Sequence, residues 1–385
     1  MMTPPCPISV VMPAYNAGRW IGRAIESVLA QTPPPLELIV VDDGSFDTTP
    51  DVCARYSHRI RYIRQDNRGA AAARNTGISA ARGELVAFLD ADDEWCDGFL
   101  EAIAHLRDRF PEAGAYATGF RCILPGGRCF DAVLAGPPGP RLIRDYFAHS
   151  LIGPFMYTSS IAVPRSVFDQ VGYFAEGEPM GEDLDMWGRI ALAFPMAYRA
   201  EPLALYHQEA SGRVCDRHSR DPRFPPFVRS YLKTDREGRV PSEMKAAAAR
   251  YCSYLLLDYA KALLYAGDRR SARLALEQAA SLARLPALEF TGVWLAARGV
   301  PIAWMRTAKR GVSMLQAVLR GRTRRAGAWG RALMRPIDVL RRGPEETVGA
   351  GMLASLAPDT GDSNSGNLSA PEPAEAGALV GRESA

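Results

Sequence analysis

Residues 84–93 read Glu-Leu-Val-Ala-Phe-Leu-Asp-Ala-Asp-Asp, an apolar run that ends in three carboxylates. The apolar run predicts a buried strand, and the carboxylates mark the point where the strand ends. Side chains alternate in an extended chain, so we expect Asp90 and Asp92 to point the same way. Two oxygen ligands on one side suit Mg²⁺ or Mn²⁺ with a phosphate attached. This stretch therefore predicts a metal and phosphate site at the end of a strand.

Three earlier segments repeat the pattern of an apolar run followed by polar residues. Residues 8–13 and 36–41 are strongly apolar, and residues 60–64 form a weaker run. Asn16 is placed to cap the helix that follows the first run, and Thr49, followed by proline, predicts the start of a second helix. Strands that alternate with helices in this way predict a mainly parallel sheet with helices on both faces.

Ligands of open α/β sheets bind outside the carboxyl ends of the strands. The unusual polar residues of this half of the chain all fall at those ends. They are Tyr15, Asp42, Asp43, Arg68, Arg74, Asp90 and Asp92. Neither of the glycine-rich phosphate loops, G-x-x-x-x-G-K-[ST] and G-x-G-x-x-G, occurs in these turns, which favours neutralisation of phosphate by a metal.

Five motifs in this order resemble the family 2 glycosyltransferases, over roughly residues 7–215. They are residues 10–16, 40–45, 69–75, 89–93 and 181–187. The resemblance implies a GT-A-type fold, in which a Rossmann-like, mixed and mainly parallel sheet is flanked by helices. It also implies an inverting, metal-dependent transfer of a sugar from a nucleotide diphosphate donor to an acceptor hydroxyl.

The resemblance assigns roles around the donor nucleotide. Asp92 would bind Mg²⁺ or Mn²⁺, and Asp90 would reach the ribose or a metal-bound water. Asp42 or Asp43 would accept the imide N–H of uracil, which favours a UDP-linked sugar, although an Asx turn at Asp-Gly is an alternative use of these residues. Pro13, Ala14 and Tyr15 would line the same pocket.

Two arginines have two open interpretations. Arg68 and Arg74 would contact phosphate, or they would pair with Asp42 or Asp90. Arg74 falls in a predicted helix, where a structural ion pair is an equal alternative.

The candidate catalytic base lies in the motif Gly-Glu-Asp at residues 181–183. The resemblance assigns this role to Asp183, with Glu182 in reserve. Apolar residues follow at helical spacing, so both acids are expected at a helix start, where the dipole alone would also favour them. That position predicts a depressed pKa and an ionised base at neutral pH.

His207 is a candidate metal or phosphate ligand by resemblance to relatives. A zinc site with Cys215 and His218 lacks an evident fourth ligand. A Gln-x-x-Arg-Trp motif, typical of processive polysaccharide synthases, is absent, so one sugar is expected per encounter. The acceptor is expected to be a glycan or a lipid-linked precursor. The alternatives are a sugar-nucleotidyltransferase and a non-catalytic GT-A-fold binding protein.

The sequence of 385 residues predicts three regions. We expect a GT-A domain over residues 1–215, an α-helical annex over 216–342 and a disordered tail over 343–385. Seven scattered cysteines and the absence of a signal-peptide pattern predict a cytoplasmic protein. The annex is expected to contain a helical hairpin around Gly267-Asp268.

Residues 306–342 carry eleven basic residues and one acid among apolar residues. Such a segment can lie on an anionic membrane surface, here the inner face of the cell membrane. The other interpretation is a solvated helix that packs on its own domain. Nucleic acid is not an expected partner, because no reading motif accompanies the charge.

Overall fold

The computed structural model describes residues 7–134, 136, 139–178, 180–209, 222–284 and 287–298. Its strands are β1 (Ile8–Ala14), β2 (Glu37–Asp42), β3 (Arg61–Arg64), β4 (Leu85–Phe88), β5 (Glu94–Trp95), β6 (Ala115–Ile123), β7 (Cys129–Ala132), β8 (Arg141–Ile143), β9 (Ile161–Pro164) and β10 (Met196–His207). They form one sheet in the order β3-β2-β1-β4-β9-β6-β10-β5, with β7 beside β6 and β8 beside β10.

The sheet is mixed. Strands β3, β2, β1 and β4 run parallel, as do β6 and β10. Strand β9 lies between β4 and β6 and is antiparallel to both. The predicted mixed and mainly parallel sheet is therefore confirmed.

Helices cover both faces of the sheet. They are α1 (Ile21–Leu29), α2 (Thr49–Ala54), α3 (Ala70–Ala80), α4 (Phe99–Arg109), α5 (Tyr146–Ser150), α6 (Arg165–Val171) and α7 (Glu182–Ala193). Val10 and Met12 of β1 pack in one apolar cluster with α1, α2 and α4. Val11, between them, packs in a second cluster with α3, α6 and α7. Because its side chains alternate between two apolar layers, β1 is buried along its whole length.

Among the described residues, four more helices follow the sheet. They are α8 (Pro226–Arg236), α9 (Ser242–Tyr265), α10 (Arg269–Leu282) and α11 (Ala287–Ala297). The turn between α9 and α10 contains Gly267, and Asp268 caps α10 by accepting a hydrogen bond from the N–H of Ser271 at 3.0 Å. This confirms the predicted hairpin. Phe227 of α8 and Tyr251 of α9 belong to the same apolar cluster as α3 and α7, so these helices share a core with the sheet.

The expected cap at Asn16 is wrong. Helix α1 starts at Ile21, and its N-cap residue, Trp20, makes no side-chain cap bond. Asn16 instead has a left-handed backbone, with φ of 51°, which asparagine tolerates better than most residues. Its side chain accepts a hydrogen bond from the N–H of Phe46 at 3.0 Å, so it links the loops after β1 and β2.

Several expectations lie outside the described residues. The 215/216 boundary, Cys215, His218, the basic segment 306–342 and the tail 343–385 all belong to this group. Among the helices that are described, none has the length and apolar character needed to cross a bilayer.

Candidate active site

Asp42 closes β2 and is fully buried. One oxygen, Oδ1, accepts the N–H of Ser45 at 2.8 Å. The other, Oδ2, accepts the Tyr62 hydroxyl and Nη1 of Arg64, the latter at 3.0 Å. The carboxylate therefore organises the loop after β2 and holds an aromatic ring and a guanidinium at the sheet edge. Sequence reasoning missed Tyr62 and Arg64, because they lie on a short strand with little apolar pattern.

Asp43 connects the same loop to helix α3. Its Oδ1 accepts the N–H of Arg68 at 3.0 Å and Nε2 of Gln65 at 2.7 Å. Its Oδ2 accepts the N–H of Gly69 at 2.7 Å. Gly69 has a φ of 90° and directly precedes α3, so the carboxylate also lies at the positive end of that helix dipole.

Two aromatic rings stand partly exposed at this edge of the sheet. Tyr15 is 38% exposed and meets Phe46 edge-to-face, with 6.1 Å between ring centroids. Tyr62 is 36% exposed. The other two residues of the predicted pocket, Pro13 and Ala14, are buried at the end of β1, where they support the loop rather than line open space.

The acidic residues after β4 do not continue the strand. Strand β4 ends at Phe88, and the chain turns at Ala91 and Asp92, where the N–H of Asp93 donates to the carbonyl of Asp90 at 3.0 Å. The expectation of an extended chain here is wrong, because the backbone bond of this turn replaces strand pairing. Asp90 stays partly exposed, with a side-chain exposure of 30%, and Asp92 is half-buried.

Asp93 differs from its two acidic neighbours because it is buried. It accepts the Ser159 hydroxyl at 2.6 Å and the backbone N–H of His207 at 3.1 Å. Burial raises the pKa of Asp93 well above its usual range, and the charges of Asp92 and Asp90 raise it further. Asp93 thus fastens the acidic turn to β10 and to the 3-10 helix at Thr158–Ser160.

Arg74 joins two groups of acids that are far apart in the sequence. Its Nη2 donates to Asp90 at 2.8 Å, and its Nη1 donates to Glu182 at 2.8 Å. The side chain is 5% exposed, and its guanidinium lies over the ring of Phe174 at 5.5 Å. Of the two interpretations for Arg74, the structure contains the ion pair, which connects the end of β4 with the start of α7.

Glu182 and Asp183 stand at the start of α7, as expected, but the predicted pKa of Asp183 is wrong. Burial raises the pKa of Asp183 to about 6, and the adjacent Glu182 charge adds to the effect, while Arg74 opposes it. The helix dipole and the N–H of Leu184, which donates to Oδ1 at 2.7 Å, do not offset the loss of water.

The two acids of α7 differ in what holds them. Glu182 is paired with Arg74 and has a side-chain exposure of 12%. Asp183 forms no ion pair with any described residue, and its Oδ2 lies 3.4 Å from the hydroxyl of Thr158. Asp183 is therefore the better placed of the two to accept a proton.

One further acid of α7, Asp185, was given no role in the predictions from sequence. Asp185 is buried and accepts Nε of Arg189 at 2.8 Å and the Ser230 hydroxyl at 2.5 Å. It locks α7 onto α8 behind the candidate base. The four-residue spacing of Asp185 and Arg189 on one helix was the available signal.

His207 ends β10 and is buried. Its Nε2 lies 3.3 Å from Glu94, without a hydrogen bond, and its Nδ1 lies 3.4 Å from Glu209. The ring thus faces these two glutamates. Within the part of the chain that the structure describes, no three His, Cys, Asp or Glu side chains form a ready cation cluster.

Arg68 lies at the rim of the site. Its side chain is 55% exposed and pairs with Glu176 at 3.3 Å. The structure thus gathers Tyr15, Asp42, Asp43 and Arg68 around the ends of β1 and β2, and Arg74, Asp90 and Glu182 between β4 and α7.

Relatives of this chain are glycosyltransferases by name. An uncharacterized glycosyltransferase from Nostoc sp. is 36% identical over 172 residues, which are 43% of this chain and 52% of that protein. An uncharacterized glycosyltransferase from Rickettsia felis is 27% identical over 222 residues, which are 56% of this chain and 37% of that protein. The chain thus spans between a third and about half of the length of these curated relatives.

Two solved structures share the fold. The match to the crystal structure of S. aureus TarS 1–349 in complex with UDP-GlcNAc has a TM-score of 0.57 at 16% identity and covers 80% of this chain and 92% of that one. The match to the mannosyltransferase PcManGT from Pyrobaculum calidifontis, in complex with GDP-Man and Mn²⁺, has a TM-score of 0.50 at 23% identity and covers 79% and 84%. Identities this low establish the GT-A fold alone.

One protein family matches part of the sequence. The family described as "Glycosyl transferase family 2" matches residues 9–172, which run from β1 to the end of α6. Residues 9–172 therefore match the glycosyl transferase family 2, and the sheet that they help to form has the GT-A fold.

Proposed function

We propose that the protein is an inverting glycosyltransferase that moves a sugar from a nucleotide diphosphate donor to a hydroxyl of a glycan or lipid-linked acceptor. The observation that carries this proposal is the bridge from Asp90 through Arg74 to Glu182. It holds the acidic turn after β4 and the start of α7 in one site. The proposed reaction needs carboxylates in these two places, one group to hold the metal that neutralises the donor phosphates and one to take the proton of the acceptor hydroxyl.

The donor half of the proposal rests on the loops after β1, β2 and β3. Partly exposed rings of Tyr15 and Tyr62 offer aromatic faces for a base. The Asp42 carboxylate accepts a hydrogen bond from the Tyr62 hydroxyl and so fixes the position of that ring in the proposed base pocket. The structures that share the fold contain UDP-GlcNAc and GDP-Man. We extend this ligand class to the present chain and favour uridine.

The proposed metal is Mg²⁺ or Mn²⁺, held by Asp92 and Asp90. The donor set fits, because both are carboxylates that retain contact with solvent. Magnesium is usually held by one or two carboxylates together with substrate phosphates, so a larger protein cluster is not required. When bound, the ion neutralises the charge of the leaving diphosphate. His207 remains a candidate ligand through its unpartnered Nε2.

Asp183 is the proposed general base. Its Oδ1 is occupied by the N–H of Leu184, which leaves Oδ2, near the Thr158 hydroxyl, to take the proton of the acceptor. A pKa of about 6 keeps the carboxylate ionised at neutral pH and brings its basicity close to the optimum for proton transfer. Inversion is what the family resemblance implies, and it needs a single base; the neighbouring Glu182 is held in an ion pair with Arg74, which leaves Asp183 for that role.

The acceptor proposal extends to the membrane. Residues 306–342 carry a strong excess of positive charge among apolar residues. We propose that this segment brings the enzyme to an anionic membrane surface, where a lipid-linked acceptor is held.

A donor screen tests the proposed function. Melting temperatures are measured with UDP-, GDP- and dTDP-sugars, each with and without Mn²⁺, and nucleotide release is followed in the same samples. The expected result is stabilisation and slow nucleotide release by one donor class, strongest with metal. If no sugar nucleotide stabilises the protein or releases its nucleotide, the proposal fails.

A further inference from the structure

We infer that the cleft between α3 and the loop 172–178 is a second carbohydrate-binding site, which takes neutral saccharide units of the acceptor remote from the transferred position. This inference rests on the proposed function, because it assigns the cleft to the acceptor of that reaction. None of its lining residues except Arg68 belongs to the site described above.

The cleft has the size and lining of a ligand site. Its volume is about 610 Å³, within the usual range for small-molecule sites. One wall is the outer side of α3, and the other is the loop that follows α6. The residues that matter are Arg68, Asn75, Thr76, Ser79, Tyr173 and Glu176.

Tyr173 offers a fixed aromatic face. Its side chain is 43% exposed, and its ring lies nearly parallel to the buried ring of Phe168, with 6.1 Å between centroids and 20° between planes. One side of the ring is thus backed by protein. An exposed, backed aromatic ring suits the apolar face of a sugar, because little side-chain freedom is lost on binding.

The backbone under Tyr173 is held from two sides. Nη2 of Arg189 donates to the carbonyl of Tyr173 at 2.9 Å. The amide of Asn75 both donates to the carbonyl of Phe174, at 2.9 Å, and accepts its N–H, at 3.0 Å. The loop is therefore organised before any ligand arrives, which a binding site requires and an ordinary surface loop does not.

The charge of the cleft favours a neutral ligand. Arg68 and Glu176 are paired at 3.3 Å and cancel each other. The remaining polar groups open to a ligand are the hydroxyls of Thr76 and Ser79, because the Asn75 amide is already bonded to Phe174 and Glu176. A ligand with many hydroxyls can both donate to and accept from such groups, whereas a diphosphate would find one arginine that is already neutralised.

The cleft adjoins the proposed reaction site at both ends. Arg68 is fixed to Asp43 through its backbone N–H at 3.0 Å. The loop leads to Gly181 and the start of α7. Phe174, which follows Tyr173, is buried, and its ring lies under the guanidinium of Arg74. A saccharide in the cleft therefore lies beside the reacting centre without filling it.

The test is saturation-transfer NMR on the full-length protein with neutral oligosaccharides built from glucose, mannose or N-acetylglucosamine. We expect at least one series to bind the wild type. Tyr173→Ala should weaken that binding about fivefold or more, and Tyr173→Phe should retain it, because the ring face and not the hydroxyl makes the contact. Ser79→Trp, at an exposed position on α3, should block the cleft without touching the core.

Tyr265→Ala is the matched control, since Tyr265 is another exposed tyrosine, 57% accessible, on α9. This variant should bind like the wild type. Equal binding by wild type, Tyr173→Ala and Ser79→Trp would overturn the inference, as would the absence of binding by every series. Donor stabilisation of the wild type is measured separately. Its failure would refute the proposed function while saccharide binding to the cleft still stood.

Discussion

Asp183 has a raised pKa, and this property can be measured without any substrate. Its pKa is about 6 in the folded protein, against an ordinary value of 3.8, so folding makes this aspartate hold its proton more tightly. Its contribution to stability is therefore present below pH 4 and is lost as the pH rises through 6. Asp183→Asn should raise the free energy of unfolding by about 1–3 kcal/mol above pH 6 and change it little near pH 4.

Urea unfolding across this pH range checks the prediction for Asp183. Asp169→Asn, at an exposed position on α6, is the control and should show no such pH dependence. If Asp183→Asn is less stable than wild type at pH 7, the ionised carboxylate is stabilised by more than its contacts with Leu184 and Thr158.

Asp92 is predicted to hold the metal. Asp92→Asn keeps the shape of the side chain and removes its charge, so Mn²⁺-dependent UDP binding should fall at least tenfold while the melting temperature without ligand stays within a few degrees. Isothermal calorimetry with and without Mn²⁺ measures this. Asp97→Asn, an exposed aspartate in the loop after β5, is the control. Unchanged UDP affinity in Asp92→Asn at saturating Mn²⁺ would refute the assignment.

Helix α7 is positioned by the helices that follow the sheet. A Cβ atom at Gly188 would lie 2.3 Å from the ring of Phe227 in α8. Gly188→Ala should therefore destabilise the protein by about 1–3 kcal/mol through overpacking, although alanine is the better helix former. Gly22→Ala in α1 is the matched control, because its Cβ would meet only ordinary contacts at 3.6 Å.

Thermal or urea denaturation of the two glycine variants measures both effects. The expected order is Gly188→Ala below wild type, with Gly22→Ala equal to or above it. A Gly188→Ala protein as stable as wild type would mean that α8 packs less closely on α7 than the structure indicates.

Strands β1, β2 and β4 were predictable because each carries a local apolar pattern. Strand β1, for example, is apolar throughout, and β2 ends at a pair of aspartates. The antiparallel insertion of β9 between β4 and β6 was not predictable, since strand order depends on pairing between distant segments. The same holds for the bond from Arg74 to Glu182, whose partners are 108 residues apart.

The candidate site, like the fold, was predictable only in part. Its residue types at strand ends were predictable from geometry and from family resemblance. The pKa of Asp183 was not, because it depends on burial by helices whose placement no local pattern reveals. The burial of Asp93, one of the three aspartates that follow β4, could not be predicted for the same reason.

The complete molecule is predicted to bind anionic membranes. Residues 306–342 contain eleven basic residues and one acidic residue, and each basic group near such a surface contributes on the order of 1 kcal/mol. Full-length protein should sediment with phosphatidylglycerol vesicles at about 0.01 M salt and be released at about 1 M salt, since the attraction is screened. Phosphatidylcholine vesicles should not retain it.

A charge variant serves as the control for the vesicle experiment. Changing Arg320, Arg322, Arg324 and Arg325 to glutamine should reduce sedimentation and leave UDP binding intact, because the proposed donor and metal residues, His207 included, all lie before residue 208. Full-length protein that stays in the supernatant with anionic vesicles at low salt would contradict the prediction and favour a soluble acceptor.

The most direct test of the proposed chemistry is the turnover of the preferred sugar nucleotide by Asp183→Asn. Loss of the general base should lower kcat by about 10²–10⁴-fold. UDP affinity should stay within about twofold, because the proposed role of Asp183 is toward the acceptor, and Arg74 stands between Asp90 and Glu182, the neighbour of Asp183. Asp169→Asn should behave as wild type in both measurements. A kcat for Asp183→Asn within a few-fold of wild type would contradict the assignment of the base and, with it, the proposed site.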